Sequence, residues 1–258
     1  MRPFLVLIGL FLLSTAGLRA AEALSEHSYS GTRTKAVGYR YLLSLPKGYD
    51  AATGRRWPLM LFLHGAGERG SDVWLVAKHG PPKLLHAQTA LSEGETAART
   101  LLAEGFIVVA PQCRPGESWD DDALLGLLDQ VAADLRVDAA RVYLTGLSMG
   151  GFGTWSLGVR HPERFAAIVP ICGGGQTIDL LLATPERKQA LQSLGVWAFH
   201  GAKDPTVAPD ESERMVAIMK RIGVKDLQLF VYPEARHDSW TETYASPELY
   251  AWLLRHQR

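Results

Sequence analysis

The sequence predicts an α/β domain: a mostly parallel sheet with helices on both faces and no large lid domain. Three observations carry that prediction. Six short runs are apolar on both faces, as strands covered on both sides are. Longer stretches between them repeat apolar residues at helical spacing. A glycine-flanked serine stands where one apolar run gives way to a helix-compatible segment.

The chain begins with Arg2, an apolar run from Phe4 to Leu13, and small residues ending at Ala20-Ala21-Glu22-Ala23. This order describes a secretory signal peptide over residues 1–23, cleaved after Ala20 or Ala23. A membrane span needs about 20 apolar residues, and Ser14, Thr15, Gly17 and Arg19 interrupt this run too early. The expectation is a secreted protein, periplasmic or extracellular, with no stable membrane anchor and a single domain over residues 24–258.

Val37 to Leu45 alternates as an edge or half-buried strand, ended by Pro46-Lys47-Gly48. Pro58–Leu63 is a continuous apolar run stopped by His64-Gly65-Ala66-Gly67. Phe106–Ala110 is closed by Pro111, and Val142–Leu147, Ala166–Ile171, Val196–Phe199 and Leu227–Tyr232 complete the strands. Asp120-Asp121-Asp122 opens a helix whose Leu124, Leu127, Leu128, Val131 and Leu135 share one face, with the acidic cluster at its positive end. A second helix starts just after Ser148 and runs to about Arg160; others are expected near 96–104, 210–222 and 247–256. The segment from Cys172 to Gly195 is too short for a cap domain. The longer excursion from Ala66 to Gly105 is better suited to shape a rim.

Lysine plus arginine and aspartate plus glutamate both number 27, and no basic run occurs. A phosphate-tracking surface is therefore not expected, and nucleic acid is excluded as a partner. Cys113 and Cys172 are the only cysteines. An exported chain permits their pairing, but sequence leaves open whether their Cβ atoms meet.

Gly146-Leu147-Ser148-Met149-Gly150 matches G-x-S-x-G. The pattern alone is weak; a strand before it and a helix after it make it a nucleophile elbow. Such a turn lifts the serine hydroxyl to a helix N-terminus, where partial positive charge favours a developing oxyanion. A serine needs a base, and an acid to orient the base, in the chain order Ser, acid, His. His237 lies in a polar loop after the last strand, which is where the base belongs. His161 reads as a helix-end residue, His200 as a backbone-shaping residue and His256 as part of the tail. Asp204, in His200-Gly201-Ala202-Lys203-Asp204-Pro205, is the acid; Asp210 reads as a helix N-cap, and Asp238 as pointing away. The oxyanion hole would take its amides from Met149 and Ala66, with Gly67 the alternative to Ala66. His64 has no partner at metal-ligand spacing and reads as an orienting residue beneath that loop. Trp119 and Trp240 are candidates to line a substrate pocket, and equally to pack under loops.

Leu63–Gly70 (LHGAGERG), Ala110–Cys113 (APQC), Gly146–Trp155 (GLSMGGFGTW), His200–Val207 (HGAKDPTV) and Arg236–Tyr244 (RHDSWTETY) resemble the secreted esterase/"predicted peptidase" branch of the α/β-hydrolases. That branch is related to the phospholipase/carboxylesterase group, feruloyl and acetylxylan esterases, polyhydroxybutyrate depolymerases and the catalytic domain of prolyl oligopeptidases. The resemblance implies an α/β-hydrolase fold with an eight-stranded, mostly parallel sheet, the site roles given above, and no cofactor or metal. It also implies hydrolysis of carboxylic esters through an acyl-serine, on a small-molecule or polysaccharide-linked substrate. Peptide or amide cleavage is the alternative, weakened by the lack of the propeller that prolyl oligopeptidases carry. A non-catalytic binding protein on the same scaffold is disfavoured by the intact Ser, Asp and His. Substrate choice and oligomeric state have no code in the sequence.

Overall fold

Apolar runs that need cover on both faces form the centre of one sheet in a computed structural model, which describes residues 37–86 and 90–258. The signal peptide read at residues 1–23 lies outside the described residues. The strands are β1 (Arg40–Ser44), β2 (Trp57–Leu63), β3 (Ile107–Gln112), β4 (Val137–Leu147), β5 (Ala167–Ile171), β6 (Gly195–Gly201) and β7 (Leu227–Tyr232). Their spatial order is β1-β3-β2-β4-β5-β6-β7. Among the described residues only β1 runs antiparallel, against β3; every other pair is parallel. The described residues thus hold seven strands, one fewer than the eight implied by the resemblance. The sheet ends at β1, and nothing described pairs beyond it.

Burial follows position in the sheet. β2 and β3 are buried at every residue, whereas the edge strands β1 and β7 are only partly covered. Between the strands run α1 (Gly80–Leu85), α2 (Glu93–Gly105), α3 (Asp121–Asp134), α4 (Met149–Arg160), α5 (Thr177–Leu181), α6 (Pro185–Ser193) and α7 (Asp210–Ile222), and after β7 come α8 (Trp240–Ala245) and α9 (Pro247–Leu254). They divide into two cores. Leu124, Leu128, Trp155, Met215 and Met219 pack with Leu59, Leu61 and Leu144 on one face. Leu102, Tyr244, Tyr250 and Trp252 pack with Met60, Phe62 and Val108 on the other. Alternate side chains of a single strand therefore feed opposite cores, which is why these runs are apolar without a break.

Segment 172–195 forms only the short helices α5 and α6, and no large lid domain occurs among the described residues. The 66–105 excursion holds two 3-10 turns, Ala66–Glu68 and Val73–Lys78, followed by α1 and α2. α2 is fixed at its start by a capping box: Ser92 Oγ accepts from the Glu95 amide while the Glu95 carboxylate accepts from the Ser92 amide.

The chain leaves β2 for β3 on one side and later places β4 on the other. The carboxyl ends of β2 and β4 therefore flank a topological switch point, where ligands bind in open α/β sheets. The two strands finish in register, Leu63 opposite Gly146. The loops that follow them carry Ala66 and Ser148.

Candidate active site

Ser148 is the single residue between β4 and α4, with φ +53° and ψ −116°. A non-glycine residue in this region is strained by about 1–3 kcal/mol and needs surrounding contacts to keep it there. Its amide supplies them, donating to the Ile171 carbonyl at 2.9 Å and to Cys172 Sγ at 3.3 Å. Close approach of the elbow to β2 explains Gly150: a Cβ there would lie 1.9 Å from the Leu63 carbonyl oxygen.

The loop after β7 brings His237 to the serine. His237 Nε2 is 2.9 Å from Ser148 Oγ, and His237 Nδ1 is 2.7 Å from Asp204 Oδ2. Burial of the Asp204 carboxyl would raise its pKa. Hydrogen bonds from His237 and the Val207 and Thr206 amides outweigh that and hold it below the ordinary value. An ionised carboxylate only accepts, so Nδ1 carries the ring proton and donates to Asp204. Nε2 is then the acceptor, and Ser148 Oγ–H donates to it. Asp204 is immobilised on its other side, Oδ1 accepting from the Thr206 amide at 2.8 Å and the Val207 amide at 3.0 Å.

Of the three other histidines downstream of Ser148, only His200 also reaches the acid, its Nε2 lying 3.3 Å from Asp204 Oδ2. His200 is buried, with Nδ1 2.8 Å from Ser212 Oγ and Nε2 3.0 Å from the Val207 carbonyl, and so braces the Asp204 turn. His161 sits beside Glu163, and His256 pairs with Asp226. Asp238 turns away and accepts from the Thr241 amide, while Asp210 is the first residue of α7 after Pro209 at the N-cap.

Met149 and Ala66 share a position: each is the first residue of a helical element, α4 and the Ala66–Glu68 turn respectively. An amide at that position has no partner within its own helix. The Ala66 loop is braced from both sides. Arg69 donates to the carbonyls of Ala66 and Glu117. Beneath it, fully buried His64 donates from Nδ1 to the Gly65 carbonyl at 2.6 Å and accepts at Nε2 from the Cys113 amide at 3.0 Å. Burial drives the His64 pKa from its ordinary 6.5 down to about 4, with Arg69 contributing in the same direction. Both ring contacts require the neutral form, since a proton on Nε2 would face the Cys113 N–H.

The two tryptophans part company. Trp240 lies edge-on to His237, with ring centroids 5.4 Å apart. Trp119 packs instead on His64 at 4.8 Å and Tyr39 at 5.7 Å, under the Ala66 loop. Cys113 and Cys172 are free, buried thiols, each pushed up to about 12 chiefly by burial.

Three features carry no sequence signal that a single chain exposes. Cys172 has φ +41° and puts its sulfur under the Ser148 amide. His79 also packs on Trp240, at 5.5 Å, and its Nε2 is 3.7 Å from the buried carboxylate of Glu68. Burial raises the Glu68 pKa above its usual range despite the nearby Lys78. Phe152, one turn after Ser148, stays 40% exposed. Among the described residues no group of three or more His, Cys, Asp or Glu side chains could hold a metal ion. None of their helices is long and apolar enough to cross a membrane.

Residues 117–248 match the model of the dienelactone hydrolase family, a span that includes Ser148, Asp204 and His237 but not Ala66. A probable feruloyl esterase C of Aspergillus terreus is 25% identical over 209 residues, covering 76% of this chain and 68% of that protein. A bifunctional acetylxylan esterase/xylanase of Neocallimastix patriciarum is 32% identical over 137 residues, which is 50% of this chain and 19% of that protein. Among solved structures, a thermostable esterase superposes with a TM-score of 0.68 at 30% identity, covering 84% of this chain and 59% of that one.

Proposed function

The chain belongs to the dienelactone hydrolase family, and from that premise we propose that it is an exported serine hydrolase cleaving carboxylic esters through an acyl-serine. The observation that carries the reading is the unbroken hydrogen-bond chain from Ser148 Oγ through His237 to Asp204. Ser148 Oγ attacks the ester carbonyl carbon as His237 Nε2 takes its proton, which activates an otherwise weak alcohol nucleophile. The carbonyl oxygen becomes an oxyanion and accepts from the Met149 and Ala66 amides, donors fixed before the reaction begins. Asp204 keeps the proton on Nδ1 and stabilises the imidazolium. Collapse breaks the bond to the leaving oxygen, which departs as an alcohol with the proton from Nε2. Water then gives a proton to His237 and its oxygen to the acyl carbon, releasing the carboxylic acid and restoring Ser148 Oγ–H.

An ester is favoured over an amide because an alkoxide leaves more readily than an amine. The short α5–α6 segment also offers little wall for extended peptide subsites. Export rests on the pattern of residues 1–23. Comparing turnover of p-nitrophenyl acetate with that of an aminoacyl-p-nitroanilide separates ester from peptide chemistry. The ester is expected to be the better substrate by kcat/KM; efficient cleavage of the anilide alone would overturn the ester reading and install peptidase activity.

A further inference from the structure

We propose that His200 is a positioning residue for the Ser148–His237–Asp204 chain, holding a second ring N–H against the Asp204 carboxylate and so setting how strongly His237 holds a proton. The inference rests on the hydrolase reading above and adds to it a buried residue that the reaction scheme leaves unused.

His200 is wholly buried near the end of β6, and its ring meets three segments at once. Nδ1 is 2.8 Å from Ser212 Oγ on α7, and Ser212 Oγ donates to the Gly173 carbonyl, after β5, at 3.0 Å. Nε2 is 3.0 Å from the Val207 carbonyl and 3.3 Å from Asp204 Oδ2. A carbonyl and an ionised carboxylate can only accept. Nε2 therefore carries a proton, whatever Nδ1 does.

The oxygen it faces is the one that His237 uses. Asp204 Oδ2 lies 2.7 Å from His237 Nδ1, while Oδ1 takes the Thr206 and Val207 amides. Oδ2 thus faces one ring N–H from each histidine. Gly201, next to His200, lets the loop of His237 come this close: a Cβ there would fall 2.0 Å from the Arg236 carbonyl oxygen. The Lys203 amide, donating to the Ala235 carbonyl at 3.0 Å, ties the two loops together.

The consequence is electrostatic. The positive N–H edge of one ring beside a carboxylate weakens the pull of that carboxylate on a proton held by the other ring. Asp204 stabilises the imidazolium of His237; His200 relaxes that hold and leaves His237 free to accept a proton at lower pH. Burial of the pair strengthens the effect. The long approach of 3.3 Å, with Val207 sharing the proton, keeps it to about half a pH unit. The other groups around His237 are Ser148 Oγ, Trp240 with His79 against it, the flanking Arg236 and Asp238, and the Cys172 thiol under the Ser148 amide. None of these contacts involves His200, so replacing it leaves them in place.

The test follows kcat/KM for p-nitrophenyl acetate from about pH 5 to 9, a profile that reports the ionisation of the free enzyme. It compares the wild type with His200→Met, His200→Gln and Ser212→Ala. Methionine fills the space without an N–H. Glutamine keeps an N–H near the place of Nε2, and Ser212→Ala disturbs the same buried network on the side away from Asp204. His200→Met should move the midpoint of the rise in kcat/KM upward by about half a pH unit, a loss of about threefold on the acid side, with the plateau kept within about twofold. His200→Gln and Ser212→Ala should keep the wild-type midpoint. A His200→Met profile lowered at every pH with its midpoint unmoved overturns the proposal, as does an equal shift in either of the other two variants. Nitrogen-15 spectra of the wild type read the ring directly, whether or not His200→Met folds: a proton on Nε2 of His200 is expected, and a bare Nε2 overturns the proposal while leaving the hydrolase reading intact. A folded wild type that hydrolyses no ester overturns the hydrolase reading, and the proposal with it.

Discussion

Replacing Asp204 by asparagine removes one charge and almost no volume, and the geometry predicts a large kinetic loss with little loss of stability. Asp204 Oδ1 accepts from the Thr206 and Val207 amides. Those two donors fix which side of an asparagine faces them: its oxygen must take the place of Oδ1, or both bonds are lost. Its Nδ2 is then left 2.7 Å from His237 Nδ1, where two N–H groups would meet. The imidazole resolves this by moving its proton to Nε2, which then donates toward Ser148 Oγ and no longer accepts its proton. An inverted tautomer of this kind lowers kcat by about four orders of magnitude, roughly 5 kcal/mol of barrier. Stability should change by only about 1 kcal/mol, because the turn keeps its backbone bonds. Steady-state hydrolysis of p-nitrophenyl acetate, run beside a urea melt of the same preparation, reads both quantities. A folded Asp204→Asn variant within tenfold of wild-type kcat would refute the assignment of Asp204 as the orienting acid.

Four further outcomes follow from the same geometry. His64 is held neutral, so its folded pKa of about 4 lies below its ordinary 6.5 and the unfolded chain binds the extra proton between those values. Stability therefore falls as pH drops from 6.5 to 4, by about 3 kcal/mol from this group; urea midpoints for His64→Asn should show a shallower dependence, and an unchanged slope contradicts the account. Gly150→Ala should cost about 4 kcal/mol or more, or prevent folding, given the contact with the Leu63 carbonyl. Gly126→Ala, on the exposed side of α3 with open space around it, should stabilise by about 1 kcal/mol, and equal effects at the two sites would show that close approach is not what Gly150 serves. Cys172→Ala removes the sulfur that accepts from the Ser148 amide and should lower kcat by about tenfold with KM unchanged; Cys172→Ser should recover most of it, whereas equal losses in both variants would mean that the sulfur only fills space.

Much of this was legible in the sequence because buried parallel strands and their covering helices leave strong periodic signals. The span of α7 matches its predicted limits, and the apolar strands fall within a few residues of theirs. β4 begins at Val137, not Val142, because Asp138 and Arg141, which pair with each other, break the apolar run without ending the strand. The elbow was readable since a G-x-S-x-G only makes sense between a strand and a helix. Partners distant in sequence were readable only by chain order. Contacts such as Cys172 with Ser148, or His79 with Trp240, have no period and no motif. They arise where loops from different strand ends converge, and only the fold brings them together. Trp119 and Trp240 looked alike in sequence; which one touches His237 depends on how two loops pack.

The most direct measurement treats the protein with a fluorophosphonate probe and maps the modified peptide by mass spectrometry. The account predicts a single adduct on Ser148, absent from Ser148→Ala together with ester turnover. A different labelled residue, no labelling of active wild type, or undiminished hydrolysis by Ser148→Ala would contradict it.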